Sequence, residues 1–160
     1  MKTIFIIDDN ETNLLVAKQA LDGLYRTFAI PSAEKMFGLL DKIRPDLILM
    51  DVEMPGMDGI TALTLLKESP KTAAIPVIMV TLYSVEVLQE QAFSAGAADF
   101  ITKPFPKPVL LNRVATQIKN AEMKMAFDSI VVHLLAGDRK AALEVANSFR
   151  EEWAGSNING

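Results

Sequence analysis

Three aspartates, a threonine and a lysine stand where short apolar runs of the 160-residue chain end. The run Ile4 to Ile7 ends in Asp8-Asp9, Asp46 to Met50 in Asp51, Pro76 to Val80 in Thr81, and Asp99 to Thr102 in Lys103. Carboxylates crowded together repel one another, and a hard divalent cation relieves that repulsion. Oxygen ligands with several retained waters describe Mg²⁺. A carboxylate attacks phosphorus when positive charge neutralises the transferring group, because phosphoryl transfer is catalysed mainly by positioning and electrostatics. A hydroxyl such as that of Thr81 then donates to one phosphoryl oxygen, and the Lys103 ammonium pairs with another.

That chemistry requires elements that bring the run ends to one rim. Each run is strand-sized, and all but the mixed last one are apolar on both faces, which suits central strands of a parallel sheet covered by helices on both sides. Arg26 to Ile30 supplies a fifth strand at an edge. Helical patterns alternate with the strands: Leu14 to Leu21 before Gly23, Ala33 to Ile43 before Pro45, Ile60 to Lys67 before Pro70, Val85 to Ala95 before Gly96, and Val109 onward. The alternation predicts a doubly wound α/β domain, which holds ligands beyond the carboxyl ends of its strands.

Asp8-Asp9, the segment from Asp51 through Val52, Glu53, Met54, Pro55, Gly56, Met57 and Asp58 to Gly59, Thr81, and Lys103-Pro104-Phe105 together resemble the signature of response-regulator receiver domains. The resemblance covers residues 2 to 120. It implies a flavodoxin-like, five-stranded parallel sheet of order 2-1-3-4-5 and a two-component phosphorelay switch. Carried over by position, it makes Asp51 the phosphoacceptor, Asp9 a direct Mg²⁺ ligand, Asp8 a ligand through water, and Glu53 a ligand through its backbone carbonyl. Thr81 and Lys103 become the phosphoryl-sensing pair and Phe100 the aromatic switch. A cis peptide is implied at Lys103-Pro104. A sensor histidine kinase or phosphotransfer protein is the implied phosphodonor. Leu82 stands where the family has a small residue, beside the path of Thr81, and Glu53 and Tyr83, two residues beyond Asp51 and Thr81, stand where such domains govern the access of water to the acyl phosphate.

A haloacid-dehalogenase-like phosphohydrolase is the competing reading. It makes Asp8 the nucleophile, but it wants a second aspartate where Asn10 stands and a late acidic pair where only Asp99 appears. Taken singly, Asp8-Asp9 reads as a solvated turn, and Asp9 or Asn10 as the cap of a helix beginning at Glu11. The joint pattern carries the sharper reading.

A net charge of −4 leaves no basic footprint for nucleic acid or acidic membrane. The chain has no cysteine, no run long enough to span a membrane, and an opening apolar run too short for export, so a cytoplasmic protein is expected. Residues 121 to 160 leave the alternating pattern and read as a helical extension or the start of an output region. Val114, Ile118, Ala121 and Met125 keep a 4-3-4 spacing, so the last receiver helix runs on and offers a stripe to a partner or a second copy. Gly137 stops that helix, and Asp138 caps another whose Ala142, Val145, Ala146, Phe149 and Trp153 share a face. His133, the single histidine, reads as a surface or packing residue.

Overall fold

The computed structural model describes residues 1–82 and 86–157, the last two by backbone alone. Five strands alternate with helices: β1 (Thr3–Ile7), α1 (Glu11–Leu21), β2 (Arg26–Ile30), α2 (Ala33–Leu40), β3 (Leu47–Asp51), α3 (Gly59–Glu68), β4 (Val77–Thr81), α4 (Glu86–Ser94), β5 (Asp99–Thr102), α5 (Lys107–Leu135) and α6 (Arg139–Asn157). The strands form one all-parallel sheet of order β2-β1-β3-β4-β5. This is the doubly wound arrangement expected from the run pattern.

The period of two along a strand divides the core between the two faces of the sheet. Phe5, Ile7, Ile48, Met50, Val77, Met79 and Phe100 pack with Met36 of α2, Leu63 and Leu66 of α3 and Ala92 of α4. Ile4, Ile6, Leu47, Leu49, Ile78, Val80 and Ile101 pack with Leu14, Ala17 and Leu21 of α1 and with Leu110, Val114 and Ile118 of α5. Covering on both faces explains why β1, β3 and β4 read as unbroken apolar runs. β2, with a covered neighbour on one side only, is more exposed, and Arg26 lies over the Phe28 ring at 5.0 Å.

Side-chain caps begin the helices where the backbone N–H groups lack partners. Asn10 accepts from Thr12 and Asn13, Ser32 from Lys35, and Asp58 from Thr61. The second helix ends at Leu40, short of the expected Ile43. Pro45 disfavours helical backbone at the residue before it, and Lys42 and Ile43 turn back onto the Leu39 carbonyl. Val85, the expected start of the fourth helix, lies outside the described residues together with Tyr83 and Ser84.

The chain divides into two compact units, Met1–Ile118 and Lys119–Gly160. In the second, α5 runs unbroken to Leu135, Gly137 takes a φ of 77°, and the Asp138 carboxylate accepts from Ala141 N–H at 3.0 Å, capping α6. Phe149 and Trp153 lie one helical turn apart with ring centroids at 5.8 Å, and Lys119 Nζ lies 5.5 Å from the Trp153 ring.

Gly59 sets the distance between α3 and the end of β3. Its N–H donates to Val52 at 2.8 Å, and a Cβ there would stand 2.0 Å from the Asp51 carbonyl oxygen. No side chain fits without moving α3 away from the site. Gly59→Ala is expected to cost about 2–3 kcal/mol in urea unfolding, as overpacking does. Gly38→Ala, in an exposed helical position with nothing within 4 Å, is expected to stabilise by about 0.5–1 kcal/mol. Equal effects at the two glycines would show that the close approach at Asp51 is not the constraint.

Candidate functional site

The C-terminal rim of the sheet collects the expected groups. Asp8 follows β1, Asp51 ends β3, Thr81 ends β4, and Lys103 follows β5. Asp8, Asp51 and Thr81 are buried, whereas Asp9 is exposed. One carboxylate oxygen from each of Asp8, Asp9 and Asp51 lies within 4.8 Å of the others, a spacing that a single cation spans.

Lys103 reaches back over the rim to bridge two of these carboxylates. Its Nζ lies 2.5 Å from Asp8 Oδ2 and 3.1 Å from Asp51 Oδ2, and all three side chains are largely shielded from water. The lysine is fixed from behind, since its backbone N–H donates to the Thr81 carbonyl at 2.6 Å. The Lys103-Pro104 peptide is cis. The second oxygen of Asp8 accepts from Asn10 N–H at 2.9 Å and from the Asn13 side-chain amide at 3.1 Å, and Asp51 Oδ1 accepts from Val52 N–H at 2.9 Å. Each buried carboxylate therefore has its orientation set by a neutral donor and keeps an oxygen turned toward the ammonium.

The remaining expected residues lie around this centre. Glu53 is exposed in the loop after β3, and Phe100 of β5 is buried in the core beneath α3 and α4. Leu82 is 61% exposed at the outer edge of the rim, and Tyr83 lies outside the described residues. Asn10, one of the two candidates for the helix cap, fills that role while Asp8 and Asp9 remain turned to the rim.

Two supporting residues escape a reading of the motif. Asn13 holds Asp8 from the first turn of α1, and its only trace in the sequence is the helical spacing from Asn10. Glu34, at the start of α2, accepts from Met57 N–H at 3.0 Å and so ties down the loop that follows Asp51. Hydrogen bonds from its own backbone, Ser32 and Met57 hold the Glu34 carboxyl below the usual range.

Three carboxylates against one ammonium leave the rim two negative charges in excess. Burial pushes the Asp51 carboxyl above its ordinary range; Lys103 opposes that shift and Asp8 adds to it. A set of hard oxygen donors with uncompensated charge is what a divalent cation such as Mg²⁺ requires, so these residues fit that ion.

The profile of the response regulator receiver domain matches residues 4–115. Over 122 residues the chain is 35% identical to a probable cyclic di-GMP phosphodiesterase of Vibrio cholerae, a match covering 76% of this chain and 28% of that protein. It is 32% identical over 141 residues to response regulator PleD of Caulobacter vibrioides, covering 88% and 30%. The chain thus spans less than a third of either relative. Among solved structures it is similar to the signal receiver domain of a signal transduction histidine kinase from Syntrophus aciditrophicus, with a TM-score of 0.70 and 34% identity over 75% of this chain and 92% of that one.

The raised Asp51 carboxyl has a consequence for stability. The folded state binds this proton more tightly than the unfolded state, so the group's contribution is fullest below the ordinary carboxylate value of about 3.9 and is lost as pH rises through the folded value. In magnesium-free buffer at pH 7, Asp51→Asn is expected to raise the urea midpoint above wild type, with the gain shrinking as pH falls toward about 4. A variant less stable than wild type at pH 7 would mean that pairing with Lys103 outweighs burial and repulsion.

Proposed function

The chain belongs to the response regulator receiver family, and we propose that Asp51 is its phosphoryl acceptor, that Mg²⁺ assists the transfer, and that Thr81 and Phe100 convert the modification into a change of partner binding. The observation that carries this reading is the Lys103 ammonium bridging buried Asp8 and Asp51 inside a three-carboxylate cluster. A structural ion pair needs one carboxylate. A site built to accept a dianionic group needs a nucleophilic carboxylate, further oxygen donors that would hold a divalent cation to offset the charge, and an ammonium able to change partner.

In the transfer, an oxygen of the Asp51 carboxylate forms a bond to phosphorus while the bond to the donor's leaving group breaks and its electron pair departs with that group. The donor is the phosphohistidine of a sensor histidine kinase or phosphotransfer protein, or a small acyl phosphate. Lys103, already 3.1 Å from Asp51, re-pairs with a phosphoryl oxygen, exchanging one anion for a more highly charged one. Asp8, Asp9, Asp51 and the Glu53 backbone carbonyl would hold a Mg²⁺ ion, which would supply further positive charge against the phosphoryl oxygens. Thr81 donates its hydroxyl to another of these oxygens, and Phe100, packed on the α3 and α4 side of the sheet, repacks in response. Leu82 beside Thr81 limits how freely that movement occurs. We assign residues 1 to 120 to this switch and residues 121 to 160 to a helical extension.

The extension carries large apolar side chains in water: Phe127, Val132 and Leu135 are 65%, 64% and 84% exposed. Self-association through this helix is the output those residues support. Sedimentation velocity with and without beryllofluoride is expected to show a dimer favoured by the mimic, and a monomer under both conditions at all concentrations would exclude it.

Intact-mass analysis after incubation with acetyl phosphate and Mg²⁺ tests the acceptor. One phosphoryl adduct is expected in wild type and none in Asp51→Asn, while Thr81→Ala is expected to label normally but to lose the phosphorylation-dependent change in association. Labelling that survives Asp51→Asn and disappears in Asp8→Asn would favour the phosphohydrolase reading.

A further inference from the structure

The rim carboxylates occupy one end of a crevice that continues away from them into apolar lining. A cavity of about 260 Å³ lies at the carboxyl ends of β1 and β3, bounded by α1 on one side and the segment after β5 on the other. The cavity lies on the face of the sheet that α1 and α5 cover, just below the carboxyl ends of the strands, the end at which doubly wound sheets hold ligands. Ile6, Leu49 and Val80, each no more than 6% exposed, form its apolar depth. Val16 and Leu82, 50% and 61% exposed, stand at its outer edge.

Size and charge define the occupant. An apolar cavity of roughly 150 Å³ admits benzene, so about 260 Å³ holds a six-membered ring with a short chain. The polar end presents Asp8 and Asp51 with Lys103 shared between them, and Asp9 adds a third carboxylate at the surface. The net charge facing a ligand head group is negative. With Asp8 and Asp51 against Lys103 the lining carries one net negative charge, so an anionic head is repelled, a neutral one gains hydrogen bonds but no net attraction, and an ammonium gains a net attraction strengthened by the partly water-excluded setting.

We propose that this crevice binds a small amphipathic cation of the arylalkylammonium class, its ring against Ile6, Leu49 and Val80 and its ammonium toward Asp8 and Asp51. The cation and a divalent metal draw on the same carboxylates, so each weakens the other's binding by the same factor. Such a ligand holds the rim in its metal-free form.

The test is titration of the ¹⁵N-labelled full chain with 2-phenylethylammonium in magnesium-free buffer. Saturable amide shifts are expected around Ala17, Leu49 and Leu82, with 3-phenylpropionate binding at least about tenfold more weakly. Saturating Mg²⁺ is expected to weaken the amine severalfold. Val16→Trp, which fills the outer edge, is expected to weaken it about tenfold while Mg²⁺ affinity stays within about twofold, showing that the chain remains folded. Leu82→Lys is expected to reverse the preference toward the carboxylate. Equal binding of amine and acid, shifts confined to other parts of the chain, or unchanged amine binding in Val16→Trp would overturn the proposal. None of these outcomes depends on whether Asp51 accepts a phosphoryl group.

Discussion

Three carboxylates held within 4.8 Å of one another, with a single ammonium between two of them, are the constraint on which the rest of the structure depends. Unit charges about 4 Å apart interact by about 4 kcal/mol at an effective dielectric constant near 20. Domains of this size are stable by only about 5–15 kcal/mol, so an unbalanced cluster consumes a substantial part of that margin. Sequence chemistry alone does not bring such groups together. The surrounding fold has to hold them against their repulsion.

It does so by covering the sheet on both faces. The alternating sets Phe5, Ile7, Ile48, Met50 and Ile4, Ile6, Leu47, Leu49 lock β1 and β3 in register, and that register places Asp8 and Asp51 side by side. Gly59 then allows α3 to begin against the Asp51 backbone, while Asn13 and Val52 orient the carboxylates through neutral donors. The Lys103 backbone is anchored to the end of β4, and from there its side chain pairs with both acids. Any gain of cationic charge at the rim relieves repulsion already present, which is why the proposed metal and the proposed ammonium draw on the same carboxylates with linked affinities, and why an incoming anionic phosphoryl group needs added positive charge beside Lys103.

Much of this was legible in the sequence, for a physical reason. Strands buried on both faces leave unbroken apolar runs, and the polar residues that follow each run mark the rim, so the run pattern itself brings Asp8, Asp9, Asp51, Thr81 and Lys103 to one edge of the sheet. Local stop signals also read well: Gly137 and Asp138 separate α5 from α6 as their residue types require. What the sequence concealed depends on contacts between distant segments. Glu34 reaches a backbone N–H 23 residues away, and no spacing rule connects the two. The crevice between α1 and the segment after β5 is likewise a property of how helices stand on the sheet, since Val16 and Leu82 carry no motif. The end of α2 at Leu40 depended on how the chain turns before Pro45, where propensity alone allowed three more residues of helix.

The most direct test of the account is the stability of the chain against Mg²⁺ concentration, followed by urea unfolding at constant ionic strength. Binding to the folded state alone at ten times the dissociation constant stabilises by about 1.4 kcal/mol. Wild type is expected to follow that saturating dependence, and Asp9→Ala and Asp51→Asn to lose most of it. Equal stabilisation of all three proteins, or an equal effect from K⁺ at matched ionic strength, would contradict the claim that the three carboxylates form a divalent-cation site.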